Sequence, residues 1–131
     1  MMLFVNGQDI EHLTLGLFEK TADRAFWVQE PMTFSATSEV FLAKILEYLH
    51  DGAVEPQVLT GIAVTEGEGS ATALRTVYAI ANAWGYAGKI PLFVLKKDPL
   101  TEDLVPRSFA LPQYANSVHI TAAKRDALRR K

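Results

Sequence analysis

The stretch VLTGIAV, residues 58–64, is almost uninterrupted in its apolar character. A strand reads this way when both of its faces are covered, and doubly covered strands belong to parallel pairing. The next residues complete a unit: the loop EGEGS, a helical stretch from about Ser70 to Ala87, stop signals at Gly88 and Pro91, and the strand PLFVL. A strand, a helix and a strand in this order are almost always joined by a right-handed crossover between parallel neighbours. Residues 58–95 are therefore expected to form a parallel pair with a helix on one face.

The residues before that unit have a different period. Residues 2–6 (MLFVN) are an apolar run stopped by Gly7, and residues 13–19 place Leu13, Leu15 and Leu17 on one side. Residues 25–34 (AFWVQEPMTF) are aromatic and β-rich, with Pro31 marking an edge strand or a strand end. The short polar links GQDIEH and KTADR suit an antiparallel meander. From about Ser38 to His50, Phe41, Ile45 and Leu49 recur every four residues, and Leu42 and Leu46 widen the stripe. That is a helix with a broad apolar face, capped from Ser35, Thr37 or Ser38 and ended by Gly52. The expected fold is α/β in one domain: a mixed five-stranded sheet, made of a three-stranded antiparallel meander plus two parallel strands, with helices packed on it.

That domain is expected to span residues 1–97. Residues 98–131 differ in character, because Pro99, Pro106 and Pro112 interrupt regular elements and the end, KRDALRRK, is strongly basic. They read as an extended C-terminal arm.

Composition excludes several classes of function. At 131 residues the chain is about one domain long. A net charge of −2 gives no field that would draw nucleic acid to the whole molecule. There is no cysteine, hence no disulfide, no thiolate metal site and no cysteine nucleophile. The start, MMLFVNGQDIEH, does not read as a signal peptide, and no apolar run nears the ~18–20 residues that span a bilayer. A cytoplasmic protein without a membrane partner is the expectation.

The loop EGEGSATALR poses the main functional question. Glycines before a helix start can cradle a phosphate against free backbone N–H groups. Here the Walker pattern fails, since Gly69 stands where lysine is needed before Ser70. The dinucleotide pattern fails too, with Thr72 in place of a third glycine. Glu66 and Glu68 already complement the helix dipole and would repel a phosphate. Ser70 reads as the N-cap, so no cofactor is expected. The helix beyond is rich in alanine between Leu74, Val77, Tyr78, Ile80 and Trp84. Apolar groups on more than one face of both helices suggest a partner surface besides the core.

On these residues the chain resembles the TsaB (YeaZ) family, the glycoprotease-like accessory subunits of threonylcarbamoyladenosine formation on tRNA. Gly67, Gly69, Ser70, Thr72, Leu74 and Arg75 match the family's glycine loop and helix start, while Ala71 and Ala73 replace its aromatic residue and later glycine. The likeness covers about residues 2–95 and the tail FALPQYANSVHITAAKRDALRRK, and skips the C-terminal domain of longer members. It implies an actin-like, ribonuclease H-like domain. It also implies pairing through the two helices, with a second copy or with a TsaD-like catalytic subunit. Carried over by position, that contact would use Thr37, Ser38, Phe41, Leu42 and Ile45 from the first helix, and Leu74, Arg75, Tyr78 and Asn82 from the second.

The departures point away from catalysis. Strand 1 of such folds typically ends in an acidic residue, and here it reads Val5-Asn6-Gly7-Gln8. Metal-dependent chemistry needs clustered carboxylates, and His12, His50 and His119 are isolated in sequence, so no metal is expected. Phe26, Trp27 and Phe34 read as packing residues, because no basic residue beyond Arg24 is interleaved with them. The expected function is a non-catalytic scaffold or dimerisation subunit in tRNA threonylcarbamoyladenosine modification, touching tRNA indirectly if at all. The rivals are a small glycoprotease-like or phosphoryl-transfer enzyme using the EGEGS loop, and a nuclease of the ribonuclease H kind.

Overall fold

A computed structural model describes residues 1–66 and 70–107. Strands β1 (Met2–Asp9), β2 (His12–Lys20) and β3 (Ala25–Ser35) come first, followed by helix α1 (Phe41–Asp51). Strand β4 (Gly61–Thr65), helix α2 (Ala71–Gly88), strand β5 (Leu92–Leu95) and a two-residue strand β6 (Pro106–Arg107) complete the order. One sheet holds all the strands in the order β3-β2-β1-β4-β5-β6. The meander is antiparallel, β1 pairs with β4 and β4 with β5 in parallel, and β6 returns antiparallel to β5.

Among the described residues the sheet thus has six strands where five were expected. Pro106 looks like an interruption in sequence, yet at the sheet's edge a residue without an N–H is tolerated, and it pairs with Phe93. Gly7 does not stop β1 either; the strand continues to Asp9 across a register shift. The apolar run at 58–64 is a strand only from Gly61, because Pro56–Val58 form a 3-10 turn that leaves Val58 exposed. After each helix the left-handed conformation falls one residue past the expected glycine, at Ala53 after Gly52 and at Lys89 after Gly88.

Side-chain alternation gives the sheet two covered faces. On one, Leu3, Val5, Leu13, Leu15, Leu17, Ile62, Val64 and Leu92 meet the inner faces of α1 and α2. On the other, Met2, Phe4, Phe18, Ala63, Phe93 and Leu95 are covered by Trp27, Leu100 and Leu104. Trp27 lies edge-on to Phe4 and Phe18, at centroid distances of 5.5 and 5.8 Å. Gly16 makes this possible, since a Cβ there would come within 2.8 Å of the indole.

The segment after β5 is pinned down by polar contacts. Lys20 Nζ donates to the carbonyls of Pro99 (3.0 Å), Leu100 (3.3 Å) and Glu102. The Glu102 carboxylate accepts from the backbone N–H groups of Lys96, Lys97 and Asp98. These contacts hold Leu100 and Leu104 over the second face of the sheet.

Candidate functional site

The chain leaves β1 toward β2 on one side and leaves β4 through α2 toward β5 on the other. The carboxyl ends of this parallel pair are a switch point, the place where open α/β sheets bind ligands. Register puts Val5 beside Val64, so Asn6 and Thr65 are neighbours there. Thr65 Oγ1 donates to Asn6 Oδ1 at 3.1 Å, and Tyr78 Oη of α2 donates to the Thr65 carbonyl at 2.8 Å. The Glu66 N–H donates to Leu95 O at 2.7 Å, tying the start of the glycine loop to β5. Thr65 is almost wholly buried. At this switch point β1 therefore carries an amide, Asn6, committed to an internal hydrogen bond.

Ser70 is the N-cap of α2: its side chain accepts from Ala73 N at 3.2 Å. Thr72 is exposed in the first turn, and its carbonyl accepts from Thr76 Oγ1 at 2.9 Å. Gly67 and Gly69, the glycines of the loop motif, lie outside the described residues, as do Glu68, His119 and the basic end of the chain. Among the described residues no group of three acidic, histidine or cysteine side chains comes close enough to hold a metal. His12 Nδ1 meets Asp9 Oδ2 at 3.1 Å in the β1–β2 turn, and His50 is exposed near the end of α1. The Asp9 carboxyl is held below the usual range chiefly by the Glu11 N–H, with His12 second.

The nine residues expected at a helix-borne contact divide sharply. Phe41, Ile45, Leu74 and Tyr78 are at most 1% exposed and belong to the protein's own core. They lie on the stripes of the two helices that pack against the sheet, so a partner reaches them only if the domain unfolds. Thr37, Leu42 and Arg75 are exposed, and Ser38 and Asn82 are half-buried. Sequence did not single out Val40, which is exposed just before α1. Nor did it single out Thr65, whose meeting with Asn6 depends on strand register.

These features define a mixed α/β domain, with two parallel strands beside an antiparallel meander and an amide, Asn6, at the switch point. Among solved structures, the chain is similar to YeaZ from Pseudomonas aeruginosa, at 15% identity and a TM-score of 0.55, over 72% of this chain and 42% of that one. A second Pseudomonas aeruginosa structure, of a protein with similarity to the peptidase YeaZ, matches at 13% identity and the same TM-score and coverage. Thermus thermophilus RuvC matches at 18% identity and a TM-score of 0.42, over 72% of this chain and 61% of that one. No protein-family model matches the sequence, and no curated protein does. The chain has a YeaZ-like fold, as the glycine-loop motif implied, and spans less than half the length of the two YeaZ-type chains. No helix among the described residues is long and apolar enough to cross a membrane.

Proposed function

We propose that this chain is a non-catalytic subunit of the TsaB kind in tRNA threonylcarbamoyladenosine modification. It acts as a scaffold that pairs with a second copy or with a TsaD-like catalytic subunit through the outer sides of α1 and α2. The observation that carries the reading is the apolar outer side of α1 on a YeaZ-like fold. Leu42 and Leu46 are 47% and 44% exposed, although the inner stripe of the same helix already fills the core. Covering such side chains is worth about 25 cal/mol per Å² removed from water, which favours association of this face. Arg75 and Asn82 supply polar groups on α2, as a mixed interface requires.

The non-catalytic part rests on Asn6. Its amide oxygen already accepts from Thr65, and it cannot contribute the negative charge that draws a metal ion. The chain is read as binding no nucleotide tightly.

Two experiments test the proposal together. Sedimentation at micromolar concentration, alone and mixed with a TsaD-type protein, reads the pairing; calorimetry with ATP and magnesium reads the chemistry. A chain that stays monomeric under both conditions overturns the scaffold, and a micromolar dissociation constant for ATP returns it to the phosphotransferases.

A further inference from the structure

A groove of about 560 Å³ lies between β3 and α1, lined by residues 29–32 and 34 of the strand and by Lys44, Glu47, Tyr48, Asp51 and Gly52. It is separate from the proposed pairing surface. At 3.6 residues per turn, Lys44, Tyr48 and Asp51 fall on the side of α1 opposite Leu42 and Leu46. The groove exists because β3 is an edge strand that α1 does not cover, so Met32 remains 57% exposed. Its volume is within the range of sites for small organic ligands.

Three observations define what fits. First, Pro31, Met32 and Phe34 give an apolar floor, with Phe34 held edge-on to Tyr48 at 5.7 Å. Second, the charge balance is negative. Lys44 Nζ is already engaged, 2.8 Å from Glu47 Oε1 and 4.7 Å above the Phe34 ring. Glu30 and Asp51 also line the groove and form no ion pair among the described residues. Third, Tyr48 is 7% exposed, and its hydroxyl is buried without a hydrogen-bond partner among the described residues. A native structure seldom leaves such a group unmet, and a phenol both donates and accepts.

The alternatives fit less well. An anion meets Glu30 and Asp51. A metal ion lacks a third ligand, since no such cluster exists among the described residues. A peptide strand added along β3 meets Pro31 and a break in register between Leu15 and Leu17 of the paired strand, both of which blunt an edge.

We propose that this groove binds a small organic cation, an ammonium or amidinium on an apolar body about one ring in size. The body rests on Pro31, Met32 and Phe34. The head donates to the carboxylates of Glu30 and Asp51 and to Tyr48 Oη. The last contact needs a small shift of the side chains that seal the hydroxyl, and the unmet phenol favours that shift.

The test is a titration of the full chain, followed by amide chemical shifts in NMR. The probe is 2-phenylethylamine, with 2-phenylethanol as its uncharged counterpart. The amine is expected to half-saturate at about millimolar concentration, as suits so few atoms, moving resonances of residues 29–34 and 44–52. The alcohol should bind at least about fivefold more weakly, as should the Glu30→Gln/Asp51→Asn variant with the amine. Tyr48→Phe should keep the spectrum of a folded protein and lose about fivefold in amine affinity. Shifts centred elsewhere, equal binding of alcohol and amine, or undiminished binding by Tyr48→Phe would each overturn the assignment.

Discussion

A Cβ on Gly7 would stand 2.3 Å from Cγ2 of Val77 and 3.3 Å from Cε2 of Phe41. Strand β1 thus passes beneath both helices at a point where only a hydrogen fits. Gly7→Ala should overpack this contact and destabilise the domain by about 1–3 kcal/mol. Val77→Ala alone should cost about 1–3 kcal/mol through the cavity it leaves. Together they should cost less than the sum, because the second change makes room for the first. Urea denaturation of the four proteins measures the coupling; strict additivity would show that Val77 is not what excludes a side chain at position 7.

The outer and inner stripes of α1 should respond differently to the same substitution. Leu42→Glu and Leu46→Glu place a charge on exposed positions and should leave the circular dichroism spectrum and melting temperature nearly unchanged. On the proposed pairing they should weaken association about tenfold or more, read by sedimentation. Ile45→Glu places the charge at a position that is 1% exposed, where an unpaired carboxylate costs several kcal/mol. That variant should be largely unfolded. If Leu42→Glu and Leu46→Glu associate as the parent does, the pairing surface lies elsewhere.

The contrast between Leu42 and Ile45 also marks what sequence reveals here. Helical period identifies apolar stripes, but it does not say which stripe meets the chain's own sheet and which meets solvent. Phe41 and Leu42 are adjacent and both apolar, and only the placement of α1 over Leu13 and Leu15 separates them. The β-α-β unit was legible because strand, cap and crossover all have local signals, Ser70 among them. Strand β6 was not, because Pro106 and Arg107 have no strand signal of their own and pair only by lying beside Leu92 and Phe93. Gly7 carried the signal of a turn, whereas its role is to let helices approach. The groove beside β3 was equally hidden, since it depends on where α1 ends relative to the sheet edge.

The cap of α2 offers a local test. Ser70 Oγ accepts from the Ala73 N–H, which would otherwise be an unmet donor in the first turn. Ser70→Ala should destabilise the domain by about 1 kcal/mol, and Ser70→Asp should retain most of the stability. Thermal denaturation separates the two. Equal loss in both variants would show that something other than an accepted hydrogen bond is needed at this position.

The segment over the second face of the sheet should make stability depend on acid. Burial by itself would raise the pKa of Glu102, but the N–H groups of Asp98, Lys96 and Lys97 outweigh it, and the Lys96 charge adds to them. These donors lie 2.5–2.8 Å from the carboxylate oxygens. The net effect lowers the pKa from its ordinary value of 4.5. A folded-state pKa below the unfolded one means that the contribution is fully present above the unfolded value. It is lost as pH falls through the folded one. The group is partly in solvent, so screening reduces the effect. Glu102→Gln should therefore cost about 1 kcal/mol at neutral pH. The gap between parent and variant should close as pH drops below 4.5. Urea midpoints across that range measure it. The local origin is checked by Leu104→Ala, which removes apolar cover without touching the carboxylate and should cost a similar amount at every pH. A gap for Glu102→Gln that widens in acid would show that the three N–H donors do not govern this carboxylate.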